Sequence, residues 1–388
     1  MNNIVKKKLA IVTTHPIQYN APLFQLLEKR NNIKIKVFYS WGEKVLEQKY
    51  DPGFGKNIQW DIPLLDGYEY EFVENIAKDP GSHHYKGIDS PHLIDSLKQW
   101  KADAVLVYGW SFKSHLKVLR YFHGKIPVFF RGDSTLIGRN NSLINNLKTI
   151  FLKWVYSHID KALYVGSRNK DYFLEYGMKQ DQLIFCPQTV DNARFMGDIN
   201  YSEKASEWKT ALNVPLLSTG FLYAGKLDDN KNVRLLLETF IRVSGNNYLV
   251  IAGNGTLEKE FKESFSSYHN IYFLPFQNQQ MMPVLYRMAD VFVLPSKSET
   301  WGLGINEAMA CGRVLLVSDS CGAATDLVSE GINGYTFQSG NAEDLCSKMM
   351  MLSHKKNDLK KMGESSLQII KEWNYEKDCT AIENLLKG

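Results

Sequence analysis

Residues 290–312 read DVFVLPSKSETWGLGINEAMACG. A run of β-branched and aromatic residues ends near Leu294, a polar loop follows, and small and apolar residues resume after Gly302. That pattern is a strand, a loop at its carboxyl end and a helix beginning near Leu303. The amides of Trp301 to Gly304 then form the helix N-terminus, where unpaired N–H groups and the positive dipole end attract an anion. Gly302 and Gly304 let a ligand approach the backbone closely. Glu299 falls in the loop and Glu307 about one turn inside the helix, with seven residues between them. Carboxylates repel phosphate but accept hydrogen bonds from neutral hydroxyls. Two of them flanking an anion seat therefore suit a diphosphate with a sugar on either side. A glutamate near a helix start is also favoured by the dipole alone, and for Glu307 taken singly that reading serves equally well.

The same alternation extends outward from this block. In the first half, "LAIVT" at 9–13, "IKIKVFY" at 33–39, "DAVLVY" at 103–108, "PVFF" at 127–130 and "ALYV" at 162–165 read as strands. "APLFQLLEK", "FKSHLKVLRYF" and "LINNLKTIFLKWVYSHI" between them carry apolar residues at helical spacing. The second half repeats this with "TGFLYAG", "NYLVIAG", "NIYFL", "DVFVLP" and "RVLLVS". Strand–helix alternation implies parallel sheets covered on both faces, and two such series imply an α/β chain of two Rossmann-like domains. Ligand loops then lie at the carboxyl ends of the strands, and a cleft between the domains is the expected active site. The expected division is 1–188 for the first domain and 189–371 for the second, within "CPQTVDNARFMGDINYSE". Residues 39–91, rich in Gly, Asp and aromatics, read as an insertion or long loops at the cleft mouth, with short hairpins.

With 388 residues, 44% apolar and 23% charged, the chain is long enough for two cores. A net charge of +4 is too small for a dedicated nucleic-acid binder and suits an anionic small molecule or a membrane surface. No apolar run is long enough to span a bilayer, and "VKKKLAIV" lacks the h-region and cleavage site of a signal peptide. Five scattered cysteines without a Cys-x-x-Cys read as reduced thiols of a cytoplasmic protein.

"FLYAGKLDDNKNVRLLLETF" supplies what the glutamate block lacks. It runs strand, Gly225, Lys226, polar loop, Lys231, helix, so two cations stand at a strand's carboxyl edge in the same domain, where they could clamp a diphosphate. Either lysine alone reads more simply as a solvated surface charge. The chain contains no Asp-x-Asp, a spacing that can hold a diphosphate through a metal, so no metal or other cofactor is expected.

Taken in order, these motifs resemble the donor domain of the retaining glycosyltransferases of family 4, which have the GT-B fold. The Glu-x7-Glu motif matches at Glu299 and Glu307, followed by "EAMACG". "YAGKLDDNKN" is similar to the family's Gly-Arg-Leu…Glu-Lys-Gly segment, with Lys226 where Arg is usual. "LVIAGNG" with Gly253, "LYRMADVFVLPS" and "LVSEGINGYTF" fit further blocks, and "PQTVDNARF" is similar to the interdomain linker. "EWNYEKDCTAIENLL" resembles the final helix, about 372–388, which in GT-B enzymes crosses back to the first domain. The resemblance is close over 187–388 and thins toward the N-terminus.

The resemblance implies that Glu307 binds ribose hydroxyls, Glu299 donor-sugar hydroxyls, and Lys226 and Lys231 the diphosphate, which places Glu299, Lys226 and Lys231 nearest the reaction. The backbone around Trp301, Gly302 and Leu303, with Gly253, would face the donor, and Phe276 would sit near the base. Lys for Arg at 226 keeps the charge but loses the bidentate fork. In the first half, "THPIQYNAPLF" replaces the usual glycines, so His15, Gln18, Tyr19 and Asn20 are cleft candidates for the acceptor. Gly109 and Trp110 stand where the family often has a His. Arg131 and Asp133 are expected to point toward the same cleft.

The implied activity is hexosyl transfer with retention, from a nucleoside-diphosphate sugar to a saccharide or lipid-linked saccharide hydroxyl, in surface polysaccharide or glycolipid assembly. Two alternatives stand beside it: a nucleotide-sugar epimerase or hydrolase of GT-B shape, and a catalytically silent nucleotide-sugar-binding subunit. His83, His84 and His92 share one loop, but no carboxylate or thiol at ligand spacing is evident, so exposed histidines are the simpler reading. On "LINNLKTIFLKWVYSHI", Leu147, Ile150, Phe151, Trp154 and Val155 are expected to pack on the sheet, with peripheral membrane contact the alternative if the acceptor is lipid-linked.

Overall fold

The computed structural model describes residues 6–46, 50–51, 56–139, 143–197 and 199–387. The chain forms two compact units. One comprises Met1–Lys49, Pro63–Pro187 and Tyr375–Gly388, the other Tyr50–Ile62 and Gln188–Asn374. In chain order the strands are β1 (Lys8–Thr13), β2 (Lys34–Tyr39), β3 (Tyr50–Asp51), β4 (Lys56–Asn57), β5 (Tyr70–Phe72), β6 (Ala104–Tyr108), β7 (Val128–Arg131), β8 (Lys161–Tyr164) and β9 (Leu183–Phe185). The second half adds β10 (Thr219–Ala224), β11 (Asn247–Ala252), β12 (Ile271–Leu274), β13 (Val291–Leu294), β14 (Val314–Ser318) and β15 (Gly334–Phe337).

The first unit holds a parallel sheet ordered β5-β2-β1-β6-β7-β8-β9. The second holds a parallel sheet ordered β12-β11-β10-β13-β14-β15. The central strands are largely apolar because helices cover both faces: every residue of β11 and of β14 is buried, with Asn247 and Ser318 as their polar ends. Each sheet grows first to one side and then to the other, so the order reverses between β1 and β6 and again between β10 and β13. Neighbouring loops leave in opposite directions at such a reversal and open a crevice beyond the strands' carboxyl ends. The two Rossmann-like units of the GT-B fold are thus present, and in the second the crevice falls between the loops carrying Lys226, Lys231 and Glu299.

The last helix, Tyr375–Leu385, belongs to the first unit. It packs on the helix Ala21–Arg30, where Cys379 and Ile382 join Leu23, Phe24 and Leu27 in one core. Arg30 donates from Nε to Glu383 Oε1 at 2.8 Å and from an Nη to Oε2 at 2.9 Å, and Asn32 adds a bond at 3.0 Å.

One expectation needs correction. The helix Leu143–Tyr156 does bury Leu152, Val155 and Tyr156, but Leu147 and Ile150 are 71% and 67% exposed, and Phe151 and Trp154 are 40% exposed. The sheet takes one narrow face, and the apolar stripe at 147, 150, 151 and 154 lies outside it. Residues 39–91, read as an insertion or long loops with short hairpins, divide between the two units. Residues 47–49 and 52–55 lie outside the described residues, but β3 and β4 pair antiparallel and Tyr50–Ile62 belongs to the second unit, whereas β5 extends the first unit's sheet.

Candidate functional site

In the second unit the loops after β10 and β13 are joined directly. Lys297 N donates to Asn230 O at 2.8 Å, and Asn230 Nδ2 returns a bond to Ser298 O at 2.8 Å. This brings Lys231 Nζ into an ion pair with Glu299 Oε2, both side chains about one-fifth exposed. Ser296 Oγ lies 3.4 Å from the same carboxylate oxygen, and Asp228 Oδ1 accepts from Lys231 N at 3.0 Å. Lys226 is half-buried in the same loop, its carbonyl held by Tyr223 OH at 2.6 Å. Gly253 lies against this loop with φ +141°, and a Cβ there would fall 1.9 Å from Gly225 O. Only glycine fits both that dihedral and that approach.

The helix Leu303–Ala310 starts one residue after Gly302, whose φ of +98° turns the chain into it. Glu307, one turn in, is 3% exposed and accepts from Tyr286 OH at 2.7 Å. Tyr286 comes from the helix Met282–Arg287, which precedes β13. Gly304 permits this packing: a Cβ there would meet Phe292 at 3.0 Å and Tyr286 OH at 3.3 Å. Glu299 is fixed through its backbone, N–H to Ser320 O and C=O from Gly322 N, each at 3.0 Å. Trp301 is 3% exposed, its ring centroid 5.2 Å from that of Trp373 and its Nε1–H donating to Asn306 Oδ1 at 2.8 Å, so it offers the loop its backbone.

Phe276 follows β12, its N–H donating to Asn254 Oδ1 at 2.8 Å. Beside it lies Trp60, with ring centroids 6.3 Å apart. The Trp60 segment is fastened to the loop after Phe276 by Asn278 Nδ2 to Gln59 O at 2.6 Å and Gln280 Nε2 to Asp61 O at 2.6 Å. Gln280 N also donates to the Asp61 carboxylate at 3.2 Å. Sequence reasoning missed Trp60 because it stands more than two hundred residues from its partners; its one signal was an aromatic in an unexplained insertion.

In the first unit, His15 follows β1. Its Nδ1 lies 2.9 Å from Thr14 Oγ1, its ring meets Trp41 edge-on at 5.2 Å, and burial lowers its pKa to about 4. Gln18, Tyr19 and Asn20 are half-buried beyond it, with Tyr19 O accepting from Tyr375 OH at 2.9 Å. Trp110 is partly buried against Phe151, centroids 5.6 Å apart. Asp133 lies exposed in the loop after β7.

Arg131 does not point outward with it. The residue is 7% exposed, and its guanidinium donates to Cys186 O at 3.1 Å, Cys186 Sγ at 2.6 Å and Pro187 O at 2.8 Å, with Asp378 4.0 Å away. As the last residue of β7 it is turned into the unit, where it ties the chain at 186–187 to the final helix. His115 was also unforeseen. Fully buried, it bridges Ser40 Oγ at 2.8 Å and the carbonyls of Tyr108 and Gly109 at 3.0 Å, and burial lowers its pKa to about 4.

A carboxylate does join the histidines of the 79–92 loop. Asp79 Oδ2 stands 3.2 Å from His83 Nε2 and 3.3 Å from His84 Nε2, the one such group of potential metal ligands among the described residues. Asp79 and His83 are exposed, and the contacts are those of neighbouring surface side chains.

Residues 205–368 match the family model for glycosyl transferases group 1. The chain is 25% identical over 314 residues to the sulfoquinovosyl transferase SQD2 of Arabidopsis thaliana, covering 76% of this chain and 58% of that protein. It is 24% identical over 213 residues to the N,N'-diacetylbacillosaminyl-diphospho-undecaprenol alpha-1,3-N-acetylgalactosaminyltransferase of Campylobacter jejuni, covering 54% of each. The chain thus spans little more than half the length of these relatives. In fold it is similar to Anabaena HepE, solved in complex with UDP and glucose, with a TM-score of 0.71 at 14% identity, covering 98% of this chain and 99% of that one.

Proposed function

We propose that the chain is a retaining glycosyltransferase whose second unit holds a nucleoside-diphosphate sugar. The observation that carries this reading is the convergence of the Lys231–Glu299 pair and half-buried Lys226 at the reversal between β10 and β13, with Glu307 buried one turn into the adjoining helix. Glu307, oriented by Tyr286, accepts from ribose hydroxyls. The two lysines, with the amides that follow Gly302, balance the diphosphate. Glu299, held by Lys231, accepts from hydroxyls of the transferred sugar. Phe276 and Trp60 lie toward the base.

In the reaction, the bond from the anomeric carbon to the diphosphate oxygen breaks as the acceptor hydroxyl oxygen bonds to that carbon on the same face. The acceptor proton passes to the departing phosphate oxygen, so no protein base is required, and lysine charge lowers the barrier by stabilising the leaving diphosphate. The Lys and amide clamp works without a metal. The undecaprenol-linked chemistry named for the Campylobacter relative favours a saccharide or lipid-linked saccharide acceptor and a role in surface glycan or glycolipid assembly.

Thermal shift against UDP-, GDP- and ADP-sugars, with Glu307→Ala alongside, tests the donor site. UDP-glucose is the first to try, given the UDP and glucose of the HepE structure. One donor should stabilise the wild type and not the variant. Nucleoside diphosphate release that needs an added acceptor marks a transferase, release without one a hydrolase. Silence in both assays, with calorimetry at high ligand also flat, would overturn the proposal.

A further inference from the structure

The helix Leu143–Tyr156 carries four large apolar side chains that the fold leaves exposed in whole or in part. Leu147, Ile150, Phe151 and Trp154 follow at i, i+3, i+4 and i+7, which is one continuous stripe along a helix. The two aliphatic residues are the more exposed, at 71% and 67%. The aromatics form a cluster: Phe151 lies 5.6 Å from Trp110 and 5.6 Å from Trp154, centroid to centroid. Among the described residues the other exposed large apolar side chains are scattered in sequence, apart from the loop pair Leu216 and Leu217. Single exposed apolar residues are ordinary on a protein surface, but a stripe of four marks a face that something covers.

The charges beside the stripe say what covers it. Between residues 143 and 159 the chain has Lys148 and Lys153 and no Asp or Glu. Both lysines are exposed, and Arg120 from the neighbouring helix lies over Trp154, its guanidinium carbon 5.4 Å from the ring. Of the nearby acids, Glu175 is paired with Arg139 at 2.7 Å, and Asp160 accepts from Val128 N at 2.7 Å. The face is therefore apolar at its centre and cationic at its edges. A second copy of the chain is a poor occupant, because two-fold pairing would bring the lysines of both copies together with no carboxylate on the helix to neutralise them. An anionic bilayer suits it on every count. Leucine and isoleucine enter the acyl boundary, tryptophan prefers the headgroup level, and lysine stems run along the helix to place ammonium groups among phosphates.

We propose that this helix is a monotopic docking face for an anionic lipid surface. The stripe and its charges stand independently of the donor-site reading, but they would bring the chain to the surface where a lipid-linked acceptor resides.

Sedimentation of the full chain with vesicles tests it, using phosphatidylcholine alone and a 1:1 mixture with phosphatidylglycerol. The wild type should pellet with the mixed vesicles, less so as salt is raised, and only weakly with phosphatidylcholine. The double variant L147S/I150S alters only exposed side chains, so its melting temperature and donor-induced shift should be unchanged while its partition coefficient falls at least about tenfold. K148Q/K153Q should lose the preference for phosphatidylglycerol. The proposal is overturned if the wild type fails to pellet with the mixed vesicles, or if L147S/I150S binds them as well as the wild type. A dimer dissolved by L147S/I150S, with no vesicle binding, would assign the stripe to a second copy and equally overturn it.

Discussion

At the residue scale the Lys231–Glu299 pair sets the sharpest expectations. Both side chains retain some exposure, so Lys231→Ala should fold normally while kcat falls about 10²–10³-fold through loss of charge at the leaving group. If lysine charge does that work, EDTA should leave turnover unchanged. Turnover abolished by EDTA and restored by a divalent ion would instead place the diphosphate on a metal. Glu307 differs because it is buried: Tyr286→Phe removes its 2.7 Å hydrogen bond, at a cost of about 1–3 kcal/mol in stability, and should weaken donor binding without abolishing it. His115 gives a pH dependence. Its pKa near 4 lies below the unfolded value of about 6.5. The unfolded chain therefore binds the proton more readily, and the contribution is complete above the unfolded pKa and lost as pH falls toward 4. Denaturant melts at pH 7.5 and pH 4.5 should differ by up to about 3 kcal/mol more in the wild type than in His115→Gln.

At the element scale the sequence was informative where one pattern specifies one environment. The central strands of both sheets and the start of the helix at Leu303 were legible because buried parallel strands have no polar face to obscure the run, whereas the edge strands β5 and β15 were not. Arg131 and the helix at 143–156 were not. A strand's last residue can turn toward either face or into its own unit, and local sequence does not contain the Cys186 and Asp378 that draw Arg131 inward. Likewise, helical spacing of apolar residues reports an apolar face but not what covers it. Arg131→Met should therefore act on stability rather than turnover. It removes the buried cation 4.0 Å from fully buried Asp378, and should cost about 3–5 kcal/mol. Adding Asp378→Asn should recover part of that loss. Donor affinity of the protein that remains folded should match the wild type, whereas a group in the site would have changed it.

At the scale of the whole molecule, the chain is divided so that neither unit is continuous. The first recovers its last helix from the C-terminus, and the second borrows Tyr50–Ile62 from within the first. Neither crossing follows from spacing or hydrophobic period, although the family resemblance carried the first. The second has a consequence for the fragment 188–374, which keeps all six strands of its sheet and the Glu299, Glu307, Lys226 and Lys231 set. That sheet is closed by its own helices, so the fragment should show a cooperative thermal transition and bind the donor. It lacks Trp60, Gln59 and Asp61, and with them the bonds that fix the loop beyond Phe276. Loss of one aromatic contact and of loop order should raise the donor Kd about tenfold. Trp60→Ala in the full chain should reproduce most of that change. A fragment that binds as tightly as the full chain would reduce the Trp60 segment to a passive tether, and the base would then be recognised by Phe276 and its neighbours alone.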